Sequence, residues 1–332
     1  MTAPTSHPLG ASAAAETHSL LPMLGSTLTV RGRSIDLSAP VLMGIVNATP
    51  DSFSDGGDYP DVESRVARAV ELAGQGATII DVGGQSGITG VPEVEPDEEI
   101  RRVVPVLEGI RAALPDMVIS VDTYKPPVVE AVLAAGAAIV NDVSGLRYPE
   151  VADLCAAAGA GLVLMHNRSK PKERLTDPHL YGDVTSDVVT MLQAQIAEAL
   201  TRGVAMESLI VDPGPDFSKT PHQTITVLRE IARVEALGRP VLLALSRKDF
   251  VGAITRRRPK ERLAGTLAAI GHLVGNGAAA RPGFIFRLHD VADVADYLEV
   301  AAVLAGRAEV PEELSLPPEL RREAVAPPPS SP

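Results

Sequence analysis

Apolar residues recur along this chain as short runs without alternation, and a longer segment with helical spacing follows each run. From Pro40 onward there are eight runs: "VLMGIVN" (41–47), "TIIDV" (78–82), "VISVD" (118–122), "AIVND" (138–142), "LVLMH" (162–166), "LIVDP" (209–213), "VLLALS" (241–246) and "FIFRLHD" (284–290). Apolar, β-branched runs of this kind predict strands that are buried on both faces.

The segments between the runs carry helix signals. "VESRVARAVELAGQGA" ends in glycine, and "PDEEIRRVVPVLEGIRAAL" has acids in its first turn. Eight strands that alternate with helices predict an α/β fold of the closed (β/α)8 type, a TIM barrel. The alternative is a doubly wound open sheet, which usually has fewer strands and often a G-x-G-x-x-G turn. The strand count favours the barrel.

Both ends of the chain have the composition of tails. Residues 1–26 are rich in Ala, Ser, Thr and Pro, and residues 307–332 are rich in Pro and Glu, so we expect two flexible, disordered tails. Between them, "STLTVRGRSIDL" predicts a short N-terminal β-hairpin before the barrel. The sequence therefore predicts one domain over residues 27–306.

Composition narrows the functional classes. The net charge of -12 argues against a nucleic-acid partner. The single cysteine, Cys155, excludes an internal disulfide framework and fits a reducing compartment. The N-terminal residues are a poor signal peptide, and no apolar run reaches the roughly 20 residues that span a membrane. We expect a soluble, cytoplasmic protein without a membrane partner.

Polar side chains end nearly every predicted strand. They are Asn47, Asp81, Asp122, Asn141, Asp142, His166, Asn167, Asp212, Ser246, Arg247, Lys248, Arg287, His289 and Asp290. Any one of them could be a local turn former, a role that Asp and Asn often take. This explanation is poor for all eight strands together, because the C-terminal ends of barrel strands meet at one mouth, where active sites lie.

The residue types at this mouth divide into two sets. A flat heterocycle with donors and acceptors on its edge would suit Asp122, Asn141, Asp212 and Lys248. An anion, with or without a metal, would suit Asn47, Arg287 and His289. An acidic protein that gathers cations near one face is expected to bind something negative; the cations are Lys219, Arg247, Lys248, Arg287 and His289.

Two loops at the mouth have open interpretations. The first βα loop, "NATPDSFSDGG" (47–57), is either a solvated surface loop or a lid over a ligand. The second loop, which follows the second barrel strand in "DVGGQSGITG" (81–90), is rich in glycine. Its glycines indicate either a tight turn or a backbone that approaches a ligand closely.

These residues together resemble the dihydropteroate synthase family over about residues 27–306. The motifs that carry the resemblance are "GIVNATPDSFSDGG", "SVDTYK", "VNDVSG", "LMH", "DPGPDFSKT", "LSRKDFVG", "ERLAGTLAA" and "RLHD". The resemblance implies a pterin-binding TIM barrel and a transferase of folate biosynthesis. Such an enzyme condenses 6-hydroxymethyl-7,8-dihydropterin pyrophosphate with p-aminobenzoate and releases pyrophosphate.

The resemblance also implies roles for particular residues. The pterin pocket would be lined by Asp122, Asn141, Met165, Asp212, Phe217 and Lys248. Pyrophosphate would be held by Asn47, Arg287 and His289, and Asn47 would also help to bind Mg²⁺. The p-aminobenzoate region would contain Phe53, Ser246 and Lys248. The catalytic residues would be Asp122, Lys248, Arg287 and His289.

The second loop departs from the family pattern. The family usually has "GGESTRPG" where this chain has "GGQSGITG", with Gln85, Ser86, Gly87 and Ile88 at the changed centre. Losing an ionised donor to an anion costs roughly 1.5–3 kcal/mol. Three hypotheses follow: a working synthase, a diverged paralogue that binds pterin-like ligands with weak or no synthase activity, and another pterin-handling barrel such as a methyltetrahydrofolate-binding methyltransferase domain. The methyltransferase domain would not need all three of the anion-binding residues Asn47, Arg287 and His289.

A further expectation concerns assembly. The predicted helix "ERLAGTLAAIGHLVGNGAAA" (261–280) is apolar or small on nearly every face, so it needs cover on more than its barrel side. The homodimer that the resemblance implies would provide this cover. Loops or the C-terminal tail are the alternative.

Overall fold

Eight parallel strands close into a barrel in the computed structural model, which describes residues 27–49, 59, 61–87, 89–275 and 283–321. The strands are β1 (Thr27–Val30), β2 (Arg33–Asp36), β3 (Val41–Asn47), β4 (Ile79–Gly83), β5 (Val118–Asp122), β6 (Ile139–Asp142), β7 (Gly161–Met165), β8 (Leu209–Asp212), β9 (Val241–Leu243) and β10 (Phe284–Leu288). The barrel order is β10-β3-β4-β5-β6-β7-β8-β9, which confirms the predicted TIM barrel.

Helices separate the barrel strands along the chain. They are α1 (Val62–Gly74), α2 (Pro96–Ala113), α3 (Pro126–Ala134), α4 (Glu150–Ala158), α5 (Val184–Thr201), α6 (Pro221–Arg229), α7 (Ala232–Glu235), α8 (Asp249–Thr255), α9 (Leu263–Gly275) and α10 (Val291–Leu304). Local sequence sets several ends: Asp61 and Ser64 form a capping box before α1, and Gly159 ends α4 in the left-handed region.

The apolar core has two layers. The larger cluster lies between the strands and the helices, and includes Val82, Val106 and Leu243. The smaller cluster lies inside the barrel, where residues such as Met43 and Ile210 pack together. Strands with apolar side chains on both faces, as predicted from the unalternating runs, are what these two layers require.

The N-terminal hairpin of β1 and β2 closes the bottom of the barrel. Leu28, Val30, Ile35 and Leu37 are buried in the cluster inside the barrel. The hairpin turns at Arg31 and Gly32, which have φ angles of 49° and 73° and so need left-handed backbone. The predicted hairpin is therefore confirmed. Because it closes this end of the barrel, a ligand would enter from the opposite end.

The last residues of β9 differ from the prediction. The run 241–246 leaves the barrel ladder after Leu243, and Leu245 N donates to Leu243 O at 3.1 Å in a turn. Arg247 follows in the left-handed region with φ 59°. As a result of this turn, Ser246 and Lys248 lie at the C-terminal mouth of the barrel instead of continuing the strand.

The outer parts of the chain are described only in part. Phe53 and Ile88 lie outside the described residues, as do residues 276–280 of the predicted helix 261–280. Residues 307–317 are exposed, but the proposed bounds of the domain and of both tails stay predictions. No helix within the described ranges is long and apolar enough to cross a membrane.

Candidate active site

A cavity of about 360 Å³ opens at the C-terminal ends of the barrel strands. Most of the residues that the sequence analysis singled out line it: Asn47, Gln85, Ser86, Gly87, Asp122, Asn141, Met165, Asp212, Phe217, Ser246, Lys248, Arg287 and His289. These residues are brought together by the eight barrel strands and the loops that follow them. Their individual roles stay predictions, but their convergence is a property of the fold.

Strand register explains part of this convergence. Asn47 is level with Gly83, Gly83 with Asp122, and Asp122 with Asn141, in three successive parallel pairings. A continuous row of matched positions therefore runs across four strands at the same height. The row places an amide, a glycine without a side chain, a carboxylate and a second amide at the floor of the cavity.

Arg287 joins two carboxylates at this floor. Its Nε lies 2.6 Å from Asp81 Oδ2, and its Nη2 lies 2.9 Å from Asp122 Oδ2. Burial raises the pKa of Asp122 to about 7, against the opposing pull of Arg287. The three side chains form one buried charge cluster, in which Arg287 compensates two acids at once.

Asp81 is the member of this cluster to which the sequence analysis gave no role. Its side chain is fully buried, and its Oδ2 also accepts from Asn141 Nδ2 at 3.3 Å. The signal was present, because Asp81 is a charged residue within the apolar run "TIIDV". The Oδ1 atoms of Asp81 and Asn141 are buried without a hydrogen-bond partner among the described residues, and of these two side chains that of Asn141 lines the cavity.

The opposite wall holds Asp212, Phe217 and Lys248. Asp212 Oδ1 accepts from Gly214 N at 2.7 Å, and burial raises the pKa of Asp212 to about 6. Lys248 Nζ lies 4.5 Å from the centroid of the Phe217 ring, a cation–π distance. Asp216 on one side of Phe217 has a left-handed φ of 65°, which fixes the loop that carries the ring.

His289 acts as a neutral donor. Ser246 Oγ accepts from His289 N at 3.2 Å and lies 3.0 Å from His289 Nδ1. We infer that the hydroxyl donates to Nδ1, which leaves the proton of the imidazole on Nε2. Burial, together with the nearby charges of Arg247 and Arg287, lowers the pKa of His289 to about 3, so the ring carries no charge at neutral pH.

Two of the predicted cations are engaged within the fold. Arg247 forms a two-pronged ion pair with Asp290, at 3.1 Å and 2.5 Å. Lys219 is almost fully buried, and its Nζ lies 2.7 Å from His166 Nδ1 and 3.0 Å from the carbonyl oxygens of Gly214 and Phe217. The contacts of Lys219 support the wall that carries Phe217.

Gln85 ties the two ends of the second loop together, where β4 connects to α2 over residues 84–95. Its Oε1 accepts from Val94 N at 2.7 Å, and its Nε2 donates to Tyr124 Oη at 2.9 Å. Tyr124 Oη in turn donates to Glu93 Oε1 at 2.8 Å. The amide both accepts and donates here, whereas a carboxylate could only accept.

The ammonium group of Lys125 holds the same loop in place. Its Nζ donates to Gln85 Oε1 at 3.0 Å and pairs with Glu99 Oε2 at 2.7 Å. Both side chains of this ion pair are almost fully buried, so the pair is fixed and cannot reorient freely. The start of the second loop is therefore anchored to β5 and α2, although its own residues carry no cation.

A metal ion in this cavity would be held in part by the phosphate groups of a bound substrate. No group of three or more His, Cys, Asp or Glu side chains within the described ranges has the arrangement of a metal site. Mg²⁺ commonly binds one or two protein oxygens together with substrate phosphates. The side-chain oxygen of Asn47, at the end of β3 in the cavity, fits that kind of binding.

Comparisons with known proteins agree with this site. The family model described as "Pterin binding enzyme" matches residues 43–281. The dihydropteroate synthase of Synechocystis sp. is 40% identical over 267 residues, 79% of this chain and 89% of the relative. The "Inactive dihydropteroate synthase 2" of Mycobacterium bovis is 39% identical over 285 residues, 84% of this chain and 87% of the relative.

A solved structure gives the same result. The dihydropteroate synthase from Xanthomonas albilineans, in complex with 7,8-dihydropteroate, superposes with a TM-score of 0.72 at 39% identity. The match covers 86% of this chain and 100% of that chain. This chain is thus a TIM-barrel member of the pterin-binding enzymes, and it belongs to the dihydropteroate synthase family.

Proposed function

We propose that this protein is a dihydropteroate synthase-type transferase. It would join the arylamine nitrogen of p-aminobenzoate to the methylene carbon of 6-hydroxymethyl-7,8-dihydropterin pyrophosphate, giving dihydropteroate and pyrophosphate. The observation that carries this proposal is the single cavity that unites both residue sets, with Arg287 ion-paired to Asp81 and Asp122 at its floor. Such a cavity can hold a heterocycle and its anionic substituent together.

The heterocycle would lie against the acid and amide side chains. Asp122 and Asp212 would accept hydrogen bonds from the ring N–H groups. Asn141 would form hydrogen bonds with a neighbouring donor and acceptor on the ring, and Lys248 would donate to a ring carbonyl or nitrogen. The buried, unpartnered Oδ1 of Asn141 supports this orientation. Met165 and Phe217 would form apolar walls above and below the ring.

The pyrophosphate would be held by the guanidinium of Arg287, by the Nε2–H of His289 and by Asn47. Asn47 would also help to hold Mg²⁺, which would supply positive charge to the leaving anion when bound. Donors that are already in position when negative charge develops are commonly worth on the order of 10²–10³ in rate each. These residues would therefore lower the barrier to departure of the leaving group.

The reaction breaks the bond between the methylene carbon and the pyrophosphate oxygen, and both bonding electrons leave with pyrophosphate. Asp122, when ionised, would stabilise the resulting pterin cation by its charge. The arylamine nitrogen then forms the new bond to carbon and loses one proton. Ser246, Lys248 and Phe53 would border the p-aminobenzoate position. No covalent intermediate with the protein is needed.

A coupled assay of pyrophosphate release with both substrates tests this function. We expect release that requires the pterin pyrophosphate, p-aminobenzoate and Mg²⁺ together. The absence of release by protein that still binds pterin in a calorimeter would contradict it.

A specific observation favours a second candidate, a paralogue with weak or no synthase activity. Gly87 lines the cavity without a side chain, and the second loop has no cation of its own. A relative of 39% identity is named as inactive. The protein would then bind a pterin-like ligand with little or no turnover. The pyrophosphate-release assay and the calorimetric measurement of pterin binding together distinguish the two candidates.

We also propose a homodimer that resides in the cytoplasm. Apolar side chains of α10, a helix that packs against α9, remain exposed, with Val300 at 58% and Leu304 at 83%. Cys155, a free and buried thiol, is consistent with a reducing compartment. Light scattering at micromolar concentration should give twice the monomer mass, and a monomer would contradict the dimer.

A further inference from the structure

The second loop depends on another part of the chain for positive charge. Residues 84–95 contain no Lys or Arg and include the acids Glu93 and Glu95. Nevertheless, Gln85, Ser86, Gly87 and Thr89 line the cavity in which an anion is expected. The cation that faces this side of the cavity must come from a neighbouring loop.

Lys172, in the connection between β7 and α5, contacts the second loop at two points. Its Nζ donates to the carbonyl oxygen of Ser86, and its own carbonyl oxygen accepts from Gly90 N at 2.9 Å. The two contacts lie on either side of residues 87–89. They hold the lysine ammonium beside the centre of the second loop.

The backbone of Lys172 is itself constrained. Its φ is 64°, in the left-handed region that non-glycine residues seldom adopt. Such a conformation is unfavourable and persists only where the surroundings fix it, often at ligand sites. The position of Lys172 is therefore determined by the fold and does not result from a freely rotating surface chain.

The electrostatic surroundings of Lys172 are mixed. Burial lowers the pKa of Lys172, and the nearby ammonium of Lys125 lowers it further, whereas the carboxylates of Asp122, Glu93 and Glu99 raise it. An anion bound next to Lys172 would stabilise the ammonium charge that burial disfavours. Lys172 also lines the cavity that contains Arg287 and His289, so one bound ligand could reach all three.

We propose that Lys172 is an anion-binding residue of this site, and that it provides from the loop after β7 the positive charge that the second loop lacks. The inference rests on the proposed function, and the anion is the pyrophosphate group of the substrate. A pyrophosphate that lies between Arg287 and Lys172 would contact the floor and the second-loop side of the cavity together.

Calorimetry on the full chain tests this proposal with two probes, inorganic pyrophosphate in Mg²⁺ buffer and uncharged 6-hydroxymethylpterin. Lys172→Met should weaken pyrophosphate binding roughly tenfold or more, because a charged donor is lost. Lys172→Arg, which keeps the charge, should stay within about threefold by the same argument. Lys260→Met is the matched control, because it removes the same charge from an exposed position that does not line the cavity.

The affinity for 6-hydroxymethylpterin separates ligand binding from loop positioning. We expect it to be unchanged in all three variants. Unchanged pyrophosphate affinity in Lys172→Met would overturn the proposal. A loss of 6-hydroxymethylpterin affinity as large as the loss of pyrophosphate affinity would also overturn it, and so would a wild-type protein that binds no pyrophosphate. Absence of turnover would defeat the proposed function but would leave these binding results intact.

Discussion

The floor of the cavity and its second loop hold their polar groups by different means. At the floor, Asp81, Asp122 and Arg287 extend directly from barrel strands and compensate one another's charge. In the second loop, Gln85 and Ser86 are fixed by hydrogen bonds from Lys125 and Lys172, which belong to other loops. Changes at the floor should therefore abolish the chemistry, whereas changes in the second loop should adjust affinity and rate.

The largest effect is expected from Arg287→Met, which removes the cation between two acids. Turnover should fall at least about a hundredfold, since a preorganised donor is worth on the order of 10²–10³ in rate. The free energy of unfolding should fall by about 3 kcal/mol, because the variant leaves two buried carboxylates uncompensated. Pyrophosphate release and urea denaturation measure the two effects.

A matched control for this variant is Arg233→Met. Arg233 forms ion pairs with Asp183 and Glu230 at the surface, with 41% of its side chain exposed, so the loss should stay below about 1 kcal/mol. The double variant Arg287→Met with Asp122→Asn should regain part of the stability without activity. Wild-type turnover in Arg287→Met would show that the floor is not the reacting part of the site.

Asp122→Asn should lower turnover by about a hundredfold, because the pterin cation loses its counter-charge. In the wild-type protein the ionised fraction of Asp122 increases as the pH rises through its pKa of about 7, so turnover should rise over that interval and level off above it. The variant should lose this dependence. Asp116→Asn, at a fully exposed position, should keep both the rate and the pH profile. If turnover in Asp122→Asn has the same pH profile as in the wild-type protein, the proposed role of ionised Asp122 as counter-charge to the pterin cation is contradicted.

The double variant Gly87→Thr with Ile88→Arg should raise turnover about tenfold, since an ionised donor to an anion is worth roughly 1.5–3 kcal/mol. Among the described residues no heavy atom lies within 4 Å of the position that a Cβ would take at Gly87, so they leave room for a larger side chain. Gly87→Thr with Ile88→Met adds similar bulk without charge and should stay at the wild-type rate. An unchanged rate in the first variant would show that the second loop does not limit catalysis.

The smallest effect is expected from Gln85→Met, which keeps the length of the side chain and removes its hydrogen bonds. The amide of Val94 should exchange with solvent about tenfold faster, because it loses its acceptor. Thr89→Ala, at an exposed position of the same loop, should leave that amide protected. Hydrogen exchange by NMR makes the comparison, and equal protection in Gln85→Met would mean that the loop is held by other contacts.

Sequence patterns predict the floor well and the second loop poorly, for a physical reason. Unalternating apolar runs define the strands, and strand order brings Asn47, Asp122 and Asn141 to one height, so their convergence follows from the barrel. The partners of the second loop are set by tertiary contacts: Tyr124 lies 39 positions from Gln85, and Lys172 lies 86 positions from Ser86.

Lys219 illustrates the same limit on a single residue. Its position after a strand suggested a cation that faces the ligand, yet its ammonium is bonded to His166 and two carbonyl oxygens inside the fold. Burial lowers its pKa to about 7, which no local pattern indicates. Residue type and spacing identify charged groups near a mouth, but only packing decides which of them reach the cavity.

A single-turnover experiment tests the central claim most directly. Protein in excess over 6-hydroxymethyl-7,8-dihydropterin pyrophosphate is mixed with p-aminobenzoate and Mg²⁺, and the pterin products are identified by mass spectrometry. The proposed function predicts one dihydropteroate for each pyrophosphate released, with the Arg287→Met protein inert under the same conditions. Recovery of unchanged pterin pyrophosphate, or of 6-hydroxymethylpterin from hydrolysis alone, would contradict it.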